Sequence, residues 1–271
     1  MSQVTGTTRL SEHLDLELRD SIAILTLDRP EKRNALDGGT VQALGAFFAD
    51  PPDDVAAAVL TSTGEHFSAG LDLSELSETT VFEGVLHSRS WHQPFDHIQL
   101  GTIPVVSVLC GAVIGGGLEL AISTHIRVAE PSAYYALPEG SRGIFVGGGG
   151  SVRLPRLIGV HRMADMMLTG RVIDAQTGYG LGISQYLVAE GEGLTTAIEL
   201  ATRIAENSRL TNWAVLQALP RIAEVGPNEG LFLESLMAAI SQGSDEAKSR
   251  LEEFLAGRAA KVQGNTSEGV S

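Results

Sequence analysis

The chain has 271 residues, 43% hydrophobic and 19% charged, which suits one large globular domain, or a core with a smaller appendage, and excludes a disordered chain. A formal charge of −14, with no run of lysine and arginine, repels phosphate backbones and argues against nucleic-acid binding. Cys110 is the only cysteine, so neither an intrachain disulfide nor a cysteine-rich zinc site can form, and a reducing, cytoplasmic setting is expected.

The opening stretch MSQVTGTTRL has no apolar segment of the secretory kind. Leu14, Leu16 and Leu18 then alternate with Asp15, Glu17 and Arg19, the period of a half-buried strand. After a turn at Arg19-Asp20-Ser21, residues 22–27 read as a denser, more buried strand, broken by Arg29-Pro30-Glu31-Lys32. Asp37 is placed to cap a helix with Val41, Leu44, Phe47 and Phe48 on one side. Residues 56–60 predict a buried strand and 61–70 a polar, glycine-containing loop.

A helical stretch follows from about 81 to 100, with an interruption expected at Pro94. It carries His87, His92 and His97, whose five-residue spacing spreads them around a helix instead of aligning a metal pair, so they read as surface residues and no metal site is expected. Residues 103–122 approach the length of a membrane span, but Pro104, Gly111, Gly115-Gly116-Gly117 and Glu119 fit a buried strand, a glycine turn and a short helix over 116–123 better. Short strands are expected at 126–129 and 134–136, then a glycine-rich loop over 137–150. The β signal ends after Val188, and from Gly193 the pattern is mainly helical. This divides the chain into an α/β core, 1–208, and a helical region, 209–271. There Leu231, Phe232, Leu233, Leu236, Met237 and Ile240 make a stripe too broad for one packed neighbour.

Three glycine-bearing loops each follow a predicted buried strand and lead into a predicted helix: 67–73, 111–119, and Pro138-Glu139 leading to 147–150. Ligands bind at such strand ends because free backbone N–H groups and helix N-termini converge there, and glycine lets the backbone touch them. Glu119 and Glu139 lie in these otherwise apolar segments. A buried carboxylate has to be paired, protonated or used. The run 147–150 lacks the Gly-Lys-Ser/Thr ending of a phosphate loop, and helix packing behind the site is its expected role.

Four ordered motifs carry a specific resemblance. Residues 25–36, LTLDRPEKRNAL, resemble the opening motif of the crotonases, the enoyl-CoA hydratase/isomerase family. HFSAGLDL at 66–73 and GAVIGGGLELA at 111–121 are similar to its two oxyanion loops, and Leu137-Pro138-Glu139, the glycine cluster and RLPRLIG at 153–159 resemble its next block. The likeness runs from about residue 12 to 262. It implies an α/β spiral of strand–strand–helix turns and a thioester carbonyl held by the backbone N–H groups of Ala69 and Gly116, the latter aided by a helix dipole. It implies Glu119 as the base that activates water and Glu139 as the donor of a proton to the α-carbon, in opposite protonation states. Arg29, Lys32, Leu71, Asp72 and Leu73 would contact CoA, and Trp91 and Phe145 would border the acyl group, closing it to long chains if both point inward.

Two departures stand out: Thr124-His125 where many relatives have Cys-Asp, and Val146 where fatty-acid hydratases carry a proline. With SRSWH at 88–92 and YYAL at 134–137 they resemble the methylthioacryloyl-CoA hydratase branch. The expected activity is hydration of a short-chain enoyl-CoA, with no cofactor beyond the CoA of the substrate, in a homotrimer or a hexamer of paired trimers. The alternatives are an isomerase or acyl-CoA hydrolase with the same oxyanion hole, or a non-catalytic RNA-binding or scaffolding relative.

Overall fold

The computed structural model describes residues 6–75 and 80–258. The readings that reach residues 1–5 and 259–271, including the ends of the opening stretch and of the helical region, lie outside these. Two compact units emerge, Met1–Leu216 and Gln217–Ser271.

The first unit opens with β1 (Thr8–Ser11), β2 (Leu14–Arg19) and β3 (Ile22–Leu27), an antiparallel meander. The expected alternation in β2 buries Leu14 and Leu16. Helix α1 (Gly38–Ala49) is capped by Asp37, whose carboxylate accepts the Thr40 N–H at 2.7 Å. Strand β4 (Ala57–Ser62) leads to α2 (Val81–Gln99), and β5 (Val105–Leu109) to β6 (Ala112–Ile114) and α3 (Gly116–Ala121). Then come β7 (Ile126–Ala129), β8 (Tyr134–Ala136), a 3-10 turn (Pro138–Arg142), α4 (Gly150–Ile158) and α5 (Val160–Thr169). After β9 (Ile173–Asp174), α6 (Ala175–Leu181) and β10 (Tyr186–Leu187), helix α7 (Gly193–Ala205) completes the unit's regular structure up to α8 (Arg209–Ile222), within which the unit ends.

Seven strands form one sheet in the order β1-β2-β3-β4-β5-β7-β10, parallel from β3 onward. Its central strands are apolar runs because both faces are covered. Ala23, Leu25, Leu60 and Leu109 face one core cluster with α1 and α2 residues, while Ile22, Ile24, Val59 and Val106 face a second with Ala197, Leu200 and Ala201 of α7. A smaller sheet, β6-β8-β9, begins within the stretch expected to be only a glycine turn. Ser68 makes a parallel bridge to Val113 of β6. Each turn of the chain thus lays one strand in the large sheet and its next stretch beside the small one: β4 then Ser68, β5 then β6, β7 then β8. Because these stretches run parallel side by side, the segments after Ser68, Ile114 and Ala136 leave at the same end.

One expectation fails in α2, which runs through Pro94 without interruption. Proline removes the donor that would bond the Ser90 carbonyl. Gln42 of α1 donates its side-chain amide to that carbonyl at 2.9 Å, so the group stays satisfied. The buried proline ring packs on Gly45 of α1, where a Cβ would stand 2.8 Å from Pro94 Cβ.

The second unit holds the end of α8, then α9 (Pro227–Gly243) and α10 (Asp245–Leu255), with Ser244 capping α10. Leu231, Phe232, Leu236 and Ile240 of α9 are exposed, as are Leu251, Phe254 and Leu255 of α10. Among the described residues, no helix is long and apolar enough to cross a membrane.

Candidate active site

The three segments at the shared end of the small sheet enclose a cavity of about 240 Å³. Ala69, Gly70 and Leu71 come from the first, Gly115, Gly116 and Glu119 from the second, and Glu139 and Arg142 from the third. Trp91, His87 and Ser88 of α2 line it together with residues 144–148, which adjoin α2 through the Ser88 hydroxyl on the Gly147 carbonyl.

Glu119 sits one turn into α3 and is 3% exposed. Its Oε1 accepts the N–H groups of Gly148 at 2.9 Å and Gly150 at 2.7 Å. Burial pushes its carboxyl upward, opposed by those N–H groups and reinforced by the charge of Glu139. Glu139 is 7% exposed and its Oε2 has no hydrogen-bond partner among the described residues. Burial pushes its carboxyl upward too, and its own backbone N–H and the charge of Arg142 only partly offset this. The other oxygen, Oε1, lies 2.6 Å from where a Cβ on Gly115 would stand, so only glycine fits there, at φ +52. The two acids are thus held unequally. Glu119 Oε1 has donors from two peptides of another segment, whereas Glu139 Oε2 has none among the described residues.

Two backbone N–H groups face the same cavity. Gly116 is the first residue of α3, so its N–H has no acceptor within the helix. The N–H of Leu71 likewise has no acceptor among the described residues, and its nitrogen lies 3.2 Å from the Cβ position of Gly116. Here the sequence-based expectation of Ala69 is corrected. The Ala69 N–H donates to the Arg33 carbonyl at 2.9 Å and is not available to a ligand. Arg33 and Asn34 adopt left-handed backbone, and the Asn34 side chain ties Arg29 N, Thr63 O and His66 O, which fixes that carbonyl. Gly70, at φ +94 and against the Ile114 carbonyl, then turns the chain so that Leu71 presents the free N–H. No sequence signal marks this choice, since it depends on a carbonyl from a distant turn.

The remaining expected contacts divide. Leu71, Leu73, Trp91 and Phe145 line the cavity with Ala69, Gly116, Glu119 and Glu139. Trp91 is buried, with Cζ3 3.0 Å from the Gly116 Cβ position and its ring edge-on to Phe95 at 5.7 Å. Phe145 is 68% exposed at the mouth, so the closure by two inward aromatics does not occur. Arg29, Lys32 and Asp72 lie off the cavity and pair with one another, Asp72 Oδ2 accepting from Arg29 at 2.8 Å and Lys32 at 3.1 Å. With the Ser74 hydroxyl and N–H these donors hold the Asp72 carboxyl well below its usual range. Arg29 and Asp72 therefore fasten two loops, while Lys32 stays half-exposed. Residues 147–150 pack on α2 as expected, Gly148 against Phe95 and Gly147 against Ser88, and the N–H groups of Gly148 and Gly150 also hold Glu119. Of the histidines expected on the surface, His87 edges the cavity, and His97 is half-buried with Nδ1 on the Gly45 carbonyl.

Comparisons with known proteins identify the family. The sequence model described as enoyl-CoA hydratase/isomerase matches residues 17–265. A short-chain-enoyl-CoA hydratase of Clostridium acetobutylicum is 30% identical over 92% of this chain and 96% of its own length. An enoyl-CoA hydratase of Mycobacterium tuberculosis is 31% identical over 92% and 95%. A crystal structure provisionally named as an enoyl-CoA hydratase, from Rhodopseudomonas palustris CGA009, superposes with a TM-score of 0.89 at 56% identity, covering 95% of this chain and 100% of that one. On the family match, these relatives and the shared fold, the chain belongs to the enoyl-CoA hydratase/isomerase family.

Proposed function

We propose that the protein is a hydro-lyase, an enoyl-CoA hydratase that adds water across the α,β double bond of a short-chain acyl thioester. The observation that carries this reading is the meeting, in one cavity, of two buried carboxylates and two backbone N–H groups that have no acceptor among the described residues. The thioester oxygen accepts from Leu71 and Gly116, which stabilise the charge it gains as the β-carbon is attacked. Glu119, as carboxylate, takes a proton from water while the water oxygen bonds to the β-carbon. Glu139, as acid, gives its proton to the α-carbon, and exchange of a proton between the pair resets the site. In this reading no metal or redox group takes part, and CoA enters with the substrate.

The buried wall of Trp91, packed on Gly116 and Phe95, supports a short acyl group. Lys32 is the cation we assign to the CoA phosphates. Methylthioacryloyl-CoA belongs in the proposal through the residues 88–92 and 134–137. A cytoplasmic location and self-association through the apolar faces of α9 and α10 complete it. A panel of enoyl-CoAs, followed by loss of conjugated thioester absorbance, tests the assignment. Crotonyl-CoA and methylthioacryloyl-CoA should be hydrated with higher kcat/KM than dodecenoyl-CoA. Isomerisation of a β,γ-enoyl-CoA, or thioester cleavage, without hydration would replace the reading, as would RNA binding without CoA binding.

A further inference from the structure

Glu119 has only one oxygen to offer a water, because Oε1 already accepts two N–H groups from the loop at 147–150. What holds that loop is therefore part of what aims the base. Each of its peptides is fixed. The Gly147 carbonyl accepts the Ser88 hydroxyl at 2.7 Å, so the Gly148 N–H on the same peptide points at Glu119. The Gly149 carbonyl accepts the N–H groups of Val152 and Arg153, both at 3.1 Å, which orients the Gly150 N–H. Between these two peptides, the Gly148 carbonyl accepts Nη1 of Arg153 at 3.0 Å.

Arg153 is itself buried, at 8% exposure, and three of its nitrogens are fixed in three directions. Besides Gly148, Nε donates to Gln99 Oε1 and Nη2 to Asp96 Oδ1, each at 2.6 Å. Both acceptors lie at the C-terminal end of α2, the helix that carries Trp91. The loop is so tightly sandwiched that a Cβ on Gly149 would meet Arg153 Nη1 at 2.2 Å, and one on Gly150 would meet Glu119 Cγ at 2.9 Å. We propose that Arg153 is a positioning residue for Glu119: its guanidinium ties the Gly148 peptide to α2, and so keeps two N–H groups on Oε1 and turns Oε2 toward the substrate.

This rests on Glu119 being the base of the proposed reaction, but its test does not need that reaction. Around Glu119 the titratable and charged groups are Glu139 and Arg142 on the 138–142 turn, Arg153 on α4, and His87, His92 and Asp96 on α2. Releasing the loop withdraws donors from a buried carboxylate, and removing the guanidinium withdraws a cation. Both make the ionised form of Glu119 less stable. A lysine keeps the charge but cannot reach three acceptors in a plane.

The experiment is a ¹³C-carboxyl NMR titration of glutamate-labelled full-length protein without substrate, with Glu119→Gln to assign the signal. Arg153→Met, Arg153→Lys and Ser88→Ala are compared with the parent, and thermal melts check the fold. The Glu119 midpoint should rise by at least about one pH unit, a tenfold change in proton affinity, in both Arg153 variants, and by less in Ser88→Ala. A midpoint unmoved in Arg153→Met would show that Arg153 merely packs. A parental midpoint in Arg153→Lys would show that charge alone acts, and either result overturns the proposal. If Arg153→Met does not fold, Arg153→Lys and Ser88→Ala decide. A parent protein that hydrates no enoyl-CoA would end the proposed function and still leave this titration to be read.

Discussion

Glu119→Gln and Glu139→Gln keep the size of each side chain and remove its acid–base chemistry. Each should lower kcat for crotonyl-CoA hydration by at least ~100-fold, the usual scale for losing a general acid or base, with little change in melting temperature. Near-parental turnover in either variant would sink the two-carboxylate mechanism. Gly116→Ala tests the proposed oxyanion hole, because the new methyl would stand 3.0 Å from Trp91 Cζ3 and 3.2 Å from the Leu71 nitrogen, where the proposed mechanism puts the thioester oxygen. Loss of one such donor costs about 3–4 kcal/mol, and steady-state kinetics should show a drop of 100-fold or more. At this scale the acids were readable from the sequence, since a carboxylate flanked by Leu118 and Leu120-Ala121 is costly unless it has a task. The N–H group that faces the cavity beside that of Gly116 was not. Ala69 and Leu71 flank the same glycine, and only the Arg33 carbonyl decides which of their N–H groups is left free.

Among the elements, the α1–α2 contact turns on two residues without chemistry of their own. Gly45→Ala would drive a methyl to 2.8 Å from Pro94 Cβ and should destabilise the fold by about 1–3 kcal/mol in urea denaturation. The helix through Pro94 could not be foreseen, because the donor that rescues it, Gln42, belongs to another helix. The turn between α3 and β7 makes a pH prediction. His125 accepts the Val105 N–H on Nδ1 at 2.9 Å, and its Nε2 lies 3.1 Å from the Gln99 carbonyl, an arrangement for a neutral ring. Burial holds its pKa down, to about 4, with Arg127 adding to the effect. The unfolded chain therefore binds a proton first as pH falls. Stability from this group should be whole above about pH 6.5 and be lost progressively toward pH 4, on the order of 3 kcal/mol. Denaturation at pH 7.5, 6 and 4.5 should show that slope, and His125→Gln should flatten it. An equal slope in the variant would assign the effect elsewhere.

For the whole molecule, seven large apolar side chains on α9 and α10, from Leu231 to Leu255, lie exposed in a second unit whose described residues bury little. An isolated chain seldom leaves so much apolar surface in water. Light scattering at micromolar concentration should find a trimer or hexamer, and a monomer would remove the self-association proposal. Hydration should also be indifferent to EDTA. Activity lost to the chelator and restored by zinc or magnesium would reveal a metal requirement outside the proposed mechanism.

The sequence by itself determined the family, the spiral of strands and helices, and the burial of Glu119 and Glu139 in glycine-bearing segments, because these rest on local matters: the period of apolar residues, glycine turns and motifs contiguous in the chain. Tertiary structure decided which peptide N–H groups remain free, which acid holds donors, and that Phe145 stands at the mouth while Trp91 forms the wall. It also gave residues 147–150 their place on Glu119 and Arg153 its hold on that loop. The reason is that every backbone group needs a partner, and in this fold the partner of a site residue comes from a segment far away in the chain.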